Sequence, residues 1–394
     1  MDKNDRNNIL TILHSCTVWL PLTQNWMYHH ILHLPETIES HVVCYRTENL
    51  DLFNLPYIHD LSHSSRLRYN VCRALNKLGL PVKTCFVLAQ AKKCQAGIVH
   101  SHFGNIGWEN LMALRKLQSK HLVTFYGFDV NHLPVINPVW RKRYVTLFEK
   151  VDRVLCEGAH MKNDIVRLGC PPDKITIQHL GVDTDNIQFR PRLWDGSGPL
   201  KILLAATFQE KKGIPYALEA LGQMQKELPL EITIIGDANE EAKSQEEKKR
   251  ILAVVEKYLL HKKIRFLSFQ PHHILFDEAY KHHIFLSPSV TAGDGDTEGG
   301  LPVSILEMAA TGMIVVSTTH CDIPEAIRHG TTGLLAAERD IEGLKSNITW
   351  LIGHRDEWKS MLYACRKHIE NEYNVSVQAT RLGAIYRELA AYDR

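Results

Sequence analysis

Residues 286–327 read LSPSVTAGDGDTEGGLPVSILEMAATGMIVVSTTHCDIPEAI, and this stretch settles what kind of sheet the chain builds. An apolar run closes at Ser287, an aperiodic polar loop continues to Gly300, and apolar side chains then recur at helical spacing from Pro302 to Ala310; a second apolar run follows at Ile314–Ser317. Strand, loop, helix, strand is a parallel crossover, because parallel neighbours cannot be joined by a tight hairpin. Proline suits the first turn of the helix, where its missing N–H had no partner anyway. Gly299 and Gly300 let the backbone approach a ligand closely, and the helix start offers unpaired N–H groups and a partial positive charge to a phosphate. Glu298 stands at the mouth of this helix and Glu307 within it. Ionised carboxylates only accept hydrogen bonds, so one suits a ribose diol and the other a hexose.

The same alternation extends in both directions. Ahead of the stretch lie strand-like runs at Lys201–Ala205, Ile232–Ile235, Ile264–Leu267 and Ile284–Ser287, separated by helical patterns such as Pro215–Lys226. An earlier series reads Ile9–Leu13, His41–Tyr45, Gly97–His100, Leu122–Phe125, Val154–Cys156 and Ile175–Gln178, with helices at Gly107–Gln118 and His160–Leu168. Between the two series, Val182–Pro199 is rich in Pro, Gly and Asp and has no periodicity, which is linker chemistry. The expected division is therefore residues 1–185, a linker at 186–199, a second domain at 200–375, and a C-terminal helix at 376–394 that packs back across the boundary. Two doubly wound parallel-sheet domains would face a cleft, and open α/β sheets bind ligands beyond the C-terminal ends of their strands.

A length of 394 residues agrees with more than one core. Hydrophobic content of 44% and charged content of 23% are those of a globular protein, and no apolar run approaches the roughly 18 residues that span a bilayer. The N-terminal apolar run is too short for a signal peptide, so the expected location is the cytoplasm. The nine cysteines form no C-x-x-C pair, which argues against a zinc site or a disulfide framework. Net charge is +2 but unevenly spread. Residues 61–108 contain no acidic residue, while Arg66, Arg68, Arg73, Lys77, Lys83, Lys92 and Lys93 fall there, with Leu67, Val71, Leu75 and Leu78 at helical spacing among them. This reads either as a solvated helix face or as a basic surface for anionic lipid or a phosphate-bearing acceptor. No nucleic-acid partner is expected.

The segment from Glu298 to Glu307 resembles the signature of retaining glycosyltransferase family 4, whose fold is GT-B: two Rossmann-like α/β domains. The resemblance implies that the first Glu contacts the transferred sugar and the second binds the nucleotide ribose. Eight residues separate Glu298 from Glu307 here, where the common pattern has seven. Residues 205–221, AATFQEKKGIPYALEAL, resemble the element that holds the diphosphate, with Lys212 placed to meet the charge developing on the leaving group. The family usually carries an Arg before that Lys; here Thr207 takes the nearest place and Gln209 is the adjacent polar candidate, while Lys211 reads as a solvated charge. Gly236-Asp237 resembles the glycine turn beneath the nucleotide, and Ser268-Phe269-Gln270-Pro271 the loop that receives the base. The donor set implied is Thr207, Gln209, Gly236, Gln270, Gly299, Gly300, Leu301, Pro302 and Glu307, with Lys212, Glu298 and Tyr126 in catalytic places.

The first half matches more loosely. Residues 100–104, HSHFG, and 124–130, TFYGFDV, resemble the family's histidine-bearing strand end and its Thr-Phe-His-Gly-x-Asp element, with Tyr126 where the family has His. Tyrosine can hydrogen-bond a sugar hydroxyl, but with a pKa near 10 it is no proton relay at neutrality. His102 reads either as an acceptor-side residue or as a buried structural one, and Asp129 either orients the acceptor or caps the following turn. Residues 17–27, TVWLPLTQNWM, lack the glycines of a Rossmann phosphate loop and fit the family's acceptor-side loop, with Gln24 and Trp26 as contacts.

The resemblance thus implies transfer of a hexose from a nucleotide-diphosphate sugar to a lipid-linked or saccharide hydroxyl acceptor, with retention and without a cofactor or metal. Surface polysaccharide or glycolipid assembly at the inner membrane face is the setting it implies. A sugar-nucleotide epimerase of the same fold and a non-catalytic sugar-nucleotide or polysaccharide-binding relative are the alternatives. Two metal readings of the loop are weaker. Asp294–Gly299 matches the start of an EF-hand loop, but Ile305 stands where its closing Glu would be, and Asp294-x-Asp296 is only a two-residue match to a metal-binding D-x-D. The pairs His272–His273 and His282–His283 lack a third ligand placed by sequence.

Overall fold

The structure, a computed structural model, describes residues 9–21, 24–62, 82–115 and 117–391. The chain divides into two compact units: residues 1–181 with 375–394, and residues 182–374.

In the first unit the described strands are β1 (Leu10–Ser15), β2 (Ile38–Cys44), β3 (Ile58–Asp60), β4 (Ile98–His102), β5 (Lys120–Thr124), β6 (Arg153–Cys156) and β7 (Ile175–Ile177). All pair in parallel, in the order β3-β2-β1-β4-β5-β6-β7. Successive strand residues face opposite sides, so a parallel sheet covered on both faces needs apolar residues at nearly every position. Ile12, Ile98, Leu122 and Leu155 accordingly pack on one side against Leu382, Tyr386 and Leu389 of the last helix, Val375–Ala391. On the other side Leu13, Val43 and Val99 meet Phe86 and Val87 of the helix Val82–Lys93. Each fully buried Leu or Ile contributes about 2–3 kcal/mol.

The second unit repeats the plan with β8 (Leu200–Ala205), β9 (Leu230–Ile235), β10 (Ile264–Leu267), β11 (Ile284–Ser287), β12 (Ile314–Thr318) and β13 (Leu334–Ala336), parallel in the order β10-β9-β8-β11-β12-β13. Ile202, Leu204, Ile284 and Leu286 face the helices Ile214–Met224 and Ile341–Gly353, while Leu203, Phe285 and Val315 face Ile305, Leu306 and Ala309 of the helix Val303–Ala310.

Several elements depart from the sequence reading. The helix expected to open at Pro302 begins at Val303: Pro302 keeps an extended backbone (ψ 123°) and its carbonyl accepts from the Ile305 N–H. Residues 17–27, expected as a loop, hold a two-residue strand, Val18–Trp19, paired with Arg46–Thr47, and the start of the helix Asn25–Leu32. The three-residue strands β3 and β13 were too short to show a period. Of the basic stretch, Arg66, Arg68, Arg73 and Lys77 lie outside the described residues; Lys92 and Lys93 are exposed, and Lys83 lies 4.1 Å over the Tyr45 ring.

Candidate active site

The donor-side residues gather where β8, β9, β11 and β12 of the second unit end. Gly213, at φ +63°, lets the turn after β8 close against the loop after β11, since a Cβ there would lie 1.9 Å from the Pro288 carbonyl oxygen. That approach brings Lys212 to Glu298: Nζ donates to Oε2 at 2.6 Å, and Ser289 Oγ donates to Oε1 at 2.8 Å. The Glu298 side chain is 6% exposed and that of Lys212 23%. Burial opposes ionisation of Glu298, yet Lys212, Lys211 and Ser289 outweigh it and hold the carboxyl below the ordinary range. Lys211 is not the solvated charge expected; its ammonium donates to Asp296 Oδ1 at 3.2 Å and to the Thr297 carbonyl at 3.1 Å, because the same turn aims it at the loop. Asp294 pairs with Lys243 at 2.6 Å, so both aspartates of the D-x-D are already ion-paired with lysines.

Gly299 sits at φ +79°, its N–H donating to Thr297 Oγ1, and the Leu301 side chain is buried in the core with Ile305 and Leu306 of the helix. Glu307, mostly buried in that helix, accepts from His272 Nε2 at 2.9 Å, and the carboxylate raises the imidazole pKa above its usual 6.5. His272 is therefore a carboxylate partner rather than half of a histidine pair. Gly236, at φ +122°, allows β9 to turn beside β8, a Cβ there lying 2.0 Å from the Ala206 carbonyl oxygen. Asp237 next to it accepts from Lys248 at 2.6 Å and from Ser268 at 3.3 Å, and Gln270 is exposed nearby in sequence on the same loop as Ser268. Thr207 is half-buried, and the Gln209 carbonyl accepts from the Lys212 N–H at 2.9 Å.

The first-unit residues form a separate group. β1 and β4 pair His14 with His100, and strand alternation puts His100 and His102 on one face. Burial pushes all three imidazoles down, His14 to about 3 and His100 and His102 well below 6.5, so they are neutral; it also keeps Tyr126 and Tyr386 protonated. Two hydrogen-bonded chains join these groups. His100 Nδ1 lies 2.6 Å from Tyr386 Oη and His100 Nε2 2.6 Å from Thr124 Oγ1. His102 Nδ1 lies 2.7 Å from Tyr126 Oη and His102 Nε2 3.1 Å from His14 Nδ1, while the buried His14 Nε2 has no hydrogen-bond partner. His14, His100, His102 and Tyr126 line a small pocket with Trp26, His30 and Gln178.

His14, His100 and His102 lie close enough to share a metal ion, but both nitrogens of His100 and of His102 are engaged in these hydrogen-bonded chains. Trp26 lies on the helix Asn25–Leu32 rather than on a loop, tilted against Tyr126 with ring centroids 4.5 Å apart, and Gln24 precedes that helix. Of the two readings of Asp129, capping fits its contacts: it is fully buried, its Oδ2 accepting from Gly104 N at 2.6 Å and its Oδ1 from Tyr126 N at 2.9 Å, at the start of the helix Gly104–Leu114. Burial raises its carboxyl to about 6 despite those donors.

Sequence reasoning missed Ser289, His320 and Glu338 on the donor side and His14 and Tyr386 in the first unit. His320 alone carried a signal, as the polar residue two places beyond the end of β12.

Known proteins resemble both halves of the chain. The family described as Glycosyl transferases group 1 matches residues 187–368, and that described as Glycosyltransferase Family 4 matches residues 23–186. The chain is 31% identical over 320 residues to the amylovoran biosynthesis glycosyltransferase AmsK of Erwinia amylovora, covering 80% of this chain and 75% of that one. It is 30% identical over 302 residues to the putative colanic acid biosynthesis glycosyltransferase WcaL of Escherichia coli K12, covering 75% and 71%. Among solved structures, Anabaena HepE in complex with UDP superposes with a TM-score of 0.79 at 12% identity over 96% of this chain and 100% of that one. Sucrose-phosphate synthase from Thermosynechococcus elongatus gives 0.75 at 16% identity over 97% and 99%. Both show a shared fold. The two parallel sheets and these relatives agree: the chain is a glycosyltransferase of family 4 built on the GT-B fold.

Proposed function

We propose that this glycosyltransferase moves a hexose from a nucleotide-diphosphate sugar to a hydroxyl acceptor with retention of anomeric configuration, needing neither metal nor cofactor, in the assembly of a cell-surface polysaccharide or glycolipid. The observation that carries the reading is the Lys212–Glu298 ion pair in front of the helix Val303–Ala310. An ammonium has three donors, so Lys212 can keep Glu298 and still meet a phosphate oxygen. Glu298 then addresses a sugar hydroxyl, Glu307 exchanges His272 for the ribose diol, and the helix N-terminus and Lys212 stabilise the charge that grows on the leaving diphosphate. A phosphate oxygen on the same face takes the acceptor's proton as the new glycosidic bond forms, which needs no enzyme nucleophile at the anomeric carbon. The surface-polysaccharide setting rests on the names of the relatives.

The test is turnover against a panel of sugar nucleotides with lipid-linked and oligosaccharide acceptors in the presence of a chelator, reading the product anomer by NMR. Glu307→Ala should weaken nucleotide-diphosphate binding by about tenfold or more, from loss of a charge-assisted hydrogen bond of about 1.5–3 kcal/mol. An inverted product removes the retaining mechanism, and activity lost with the chelator removes metal independence. Nucleotide release without a glycosylated product favours the epimerase. Tight donor binding without turnover, unchanged in Glu307→Ala, favours the non-catalytic relative.

The setting we propose is the cytoplasmic membrane face, with the enzyme held peripherally. No helix among the described residues is long and apolar enough to cross a membrane. Besides the basic 61–108 stretch, Val135, Ile136 and Val139 are exposed within five residues, next to exposed Arg141 and Lys142. Apolar side chains beside cations suit an anionic lipid surface, each Lys or Arg adding about 1 kcal/mol. Co-sedimentation with phosphatidylglycerol vesicles should fall with salt and be lost in Val135→Asp/Ile136→Asp; equal binding to phosphatidylcholine vesicles, or none at low salt, contradicts it.

A further inference from the structure

The loop that carries Glu298 is one residue longer than the family spacing, and the main chain of Glu298 itself is held by a buried side chain. Glu298 N–H donates to His320 Nε2 at 3.1 Å. His320 is 1% exposed and follows β12, one residue before Cys321, which is itself held at φ +45°. A non-glycine residue in that region is strained, so the surrounding contacts fix the backbone there. The other imidazole nitrogen, Nδ1, lies 2.6 Å from Glu338 Oε1, and Glu338 in turn accepts from Thr291 N at 2.7 Å and from Thr291 Oγ1 at 3.3 Å. Burial disfavours the charged form of Glu338, but the Thr291 and His320 bonds outweigh it and keep the carboxyl below its ordinary range. A carboxylate can only accept, so the ring proton must sit on Nδ1. Nε2 is thereby left with a lone pair aimed at Glu298 N–H; the opposite tautomer would put two donors face to face.

We infer that His320, locked in one tautomer by Glu338, is the positioning residue that sets the Glu298 carboxylate against Lys212, and that this dyad accommodates the extra residue of the loop. The inference rests on the donor-site reading above and adds the residues that hold it. His320 touches no reacting atom; it fixes the main chain of Glu298, while Ser289 and Lys212 fix its side chain. Loss of that anchor frees the carboxylate by a fraction of an ångström to an ångström, and a misplacement of that size lowers turnover by about 10²-fold. Glu307 binds the nucleotide from the helix beyond the loop, so nucleotide-diphosphate affinity should change by no more than about twofold, as for sites without shared partners.

The experiment compares His320→Ala, His320→Gln and Glu338→Gln with the wild type in three readouts: kcat with a sugar nucleotide, affinity for the nucleotide diphosphate alone, and hydrogen–deuterium exchange of the peptide containing Glu298. His320→Ala should lower kcat about 10- to 100-fold, leave nucleotide affinity nearly unchanged and speed exchange at Glu298. His320→Gln, whose amide oxygen can take the place of Nε2, should restore much of both. Glu338→Gln, whose amide can donate to Nδ1 and reverse the tautomer, should resemble His320→Ala while staying folded. Wild-type kcat together with unchanged exchange in His320→Ala and Glu338→Gln overturns the inference, and so does an equal loss of nucleotide affinity and turnover. A wild type that turns over no sugar nucleotide defeats the donor reading alone, because faster exchange at Glu298 in the variants would still uphold the positioning role.

Discussion

Lys212→Ala is expected to lower kcat by about 10²- to 10³-fold, the size seen when one preorganised group facing a developing negative charge is removed. It should also destabilise the second unit. Glu298 is nearly buried, and the second cation acting on it, Lys211, is already engaged by Asp296 and Thr297. Removing one partner of a fully buried pair costs about 3–5 kcal/mol, but Lys212 keeps 23% exposure, so about half of that is the better expectation. The two losses separate in a cycle. Lys212→Ala with Glu298→Gln removes the stranded charge and should recover most of the thermal stability and none of the turnover. Lys212→Arg keeps the charge and should retain the fold with reduced activity, because a planar fork cannot serve carboxylate and phosphate from one point. Full turnover in folded Lys212→Ala would remove this lysine from the mechanism.

The second large effect is on stability against acid. His14, His30 and His121 are buried and pushed to about 3, 4 and 3, and His100 and His102 also lie well below 6.5. In the unfolded chain each takes up a proton near 6.5, whereas in the fold it does not until far lower. Over that interval the unfolded state binds more protons, so stability is complete above pH 6.5 and falls as the pH drops toward the folded values. His14, His30 and His121 each contribute about 2 kcal/mol of loss between pH 7 and pH 5, His100 and His102 act in the same direction, and the stability of a domain is only about 5–15 kcal/mol. The first unit should therefore unfold cooperatively near pH 5. The second unit, in which His282 and His283 are the histidines shifted down, should persist to lower pH. Tryptophan fluorescence and near-UV circular dichroism against pH should show two transitions, the first less steep in His14→Gln. A single transition below pH 4 would contradict it.

The parallel α/β plan was legible because buried parallel strands are continuous apolar runs. Ile264–Leu267 and Ile284–Ser287 coincide with β10 and β11, and most other strands differ by one to three residues at an end. What escaped had a physical reason. Ile58–Asp60 and Leu334–Ala336 are edge strands of three residues, too short to establish a period. In the donor loop, Glu298 and Lys212 were nameable from motif and charge, but their meeting depends on the left-handed turn at Gly213, and nothing in the spacing of 86 residues announces it. His320 and Glu338 hold the loop from beyond β12; the place of His320 just past that strand was the one hint, and accepting a main-chain hydrogen bond leaves no motif around it. Asp129 was left between two roles for the converse reason: a motif position shows which residue is present, while burial decides what its oxygens touch.

The helix Val375–Ala391 completes the first unit although the second unit lies between them in the chain. Gly181 and Val375 abut, with a Cβ on Gly181 falling 2.6 Å from the Val375 Cα. During synthesis the second unit can close on itself before the first is whole, since domains fold as units while the chain emerges. Until Leu382, Tyr386 and Leu389 arrive, Ile12, Ile98, Leu122 and Leu155 lack their apolar cover and His100 lacks the phenol that orients it. The half of the chain made first is thus the half finished last, and a chain stopped short of residue 375 would expose that sheet face to chaperones, proteases or its own copies.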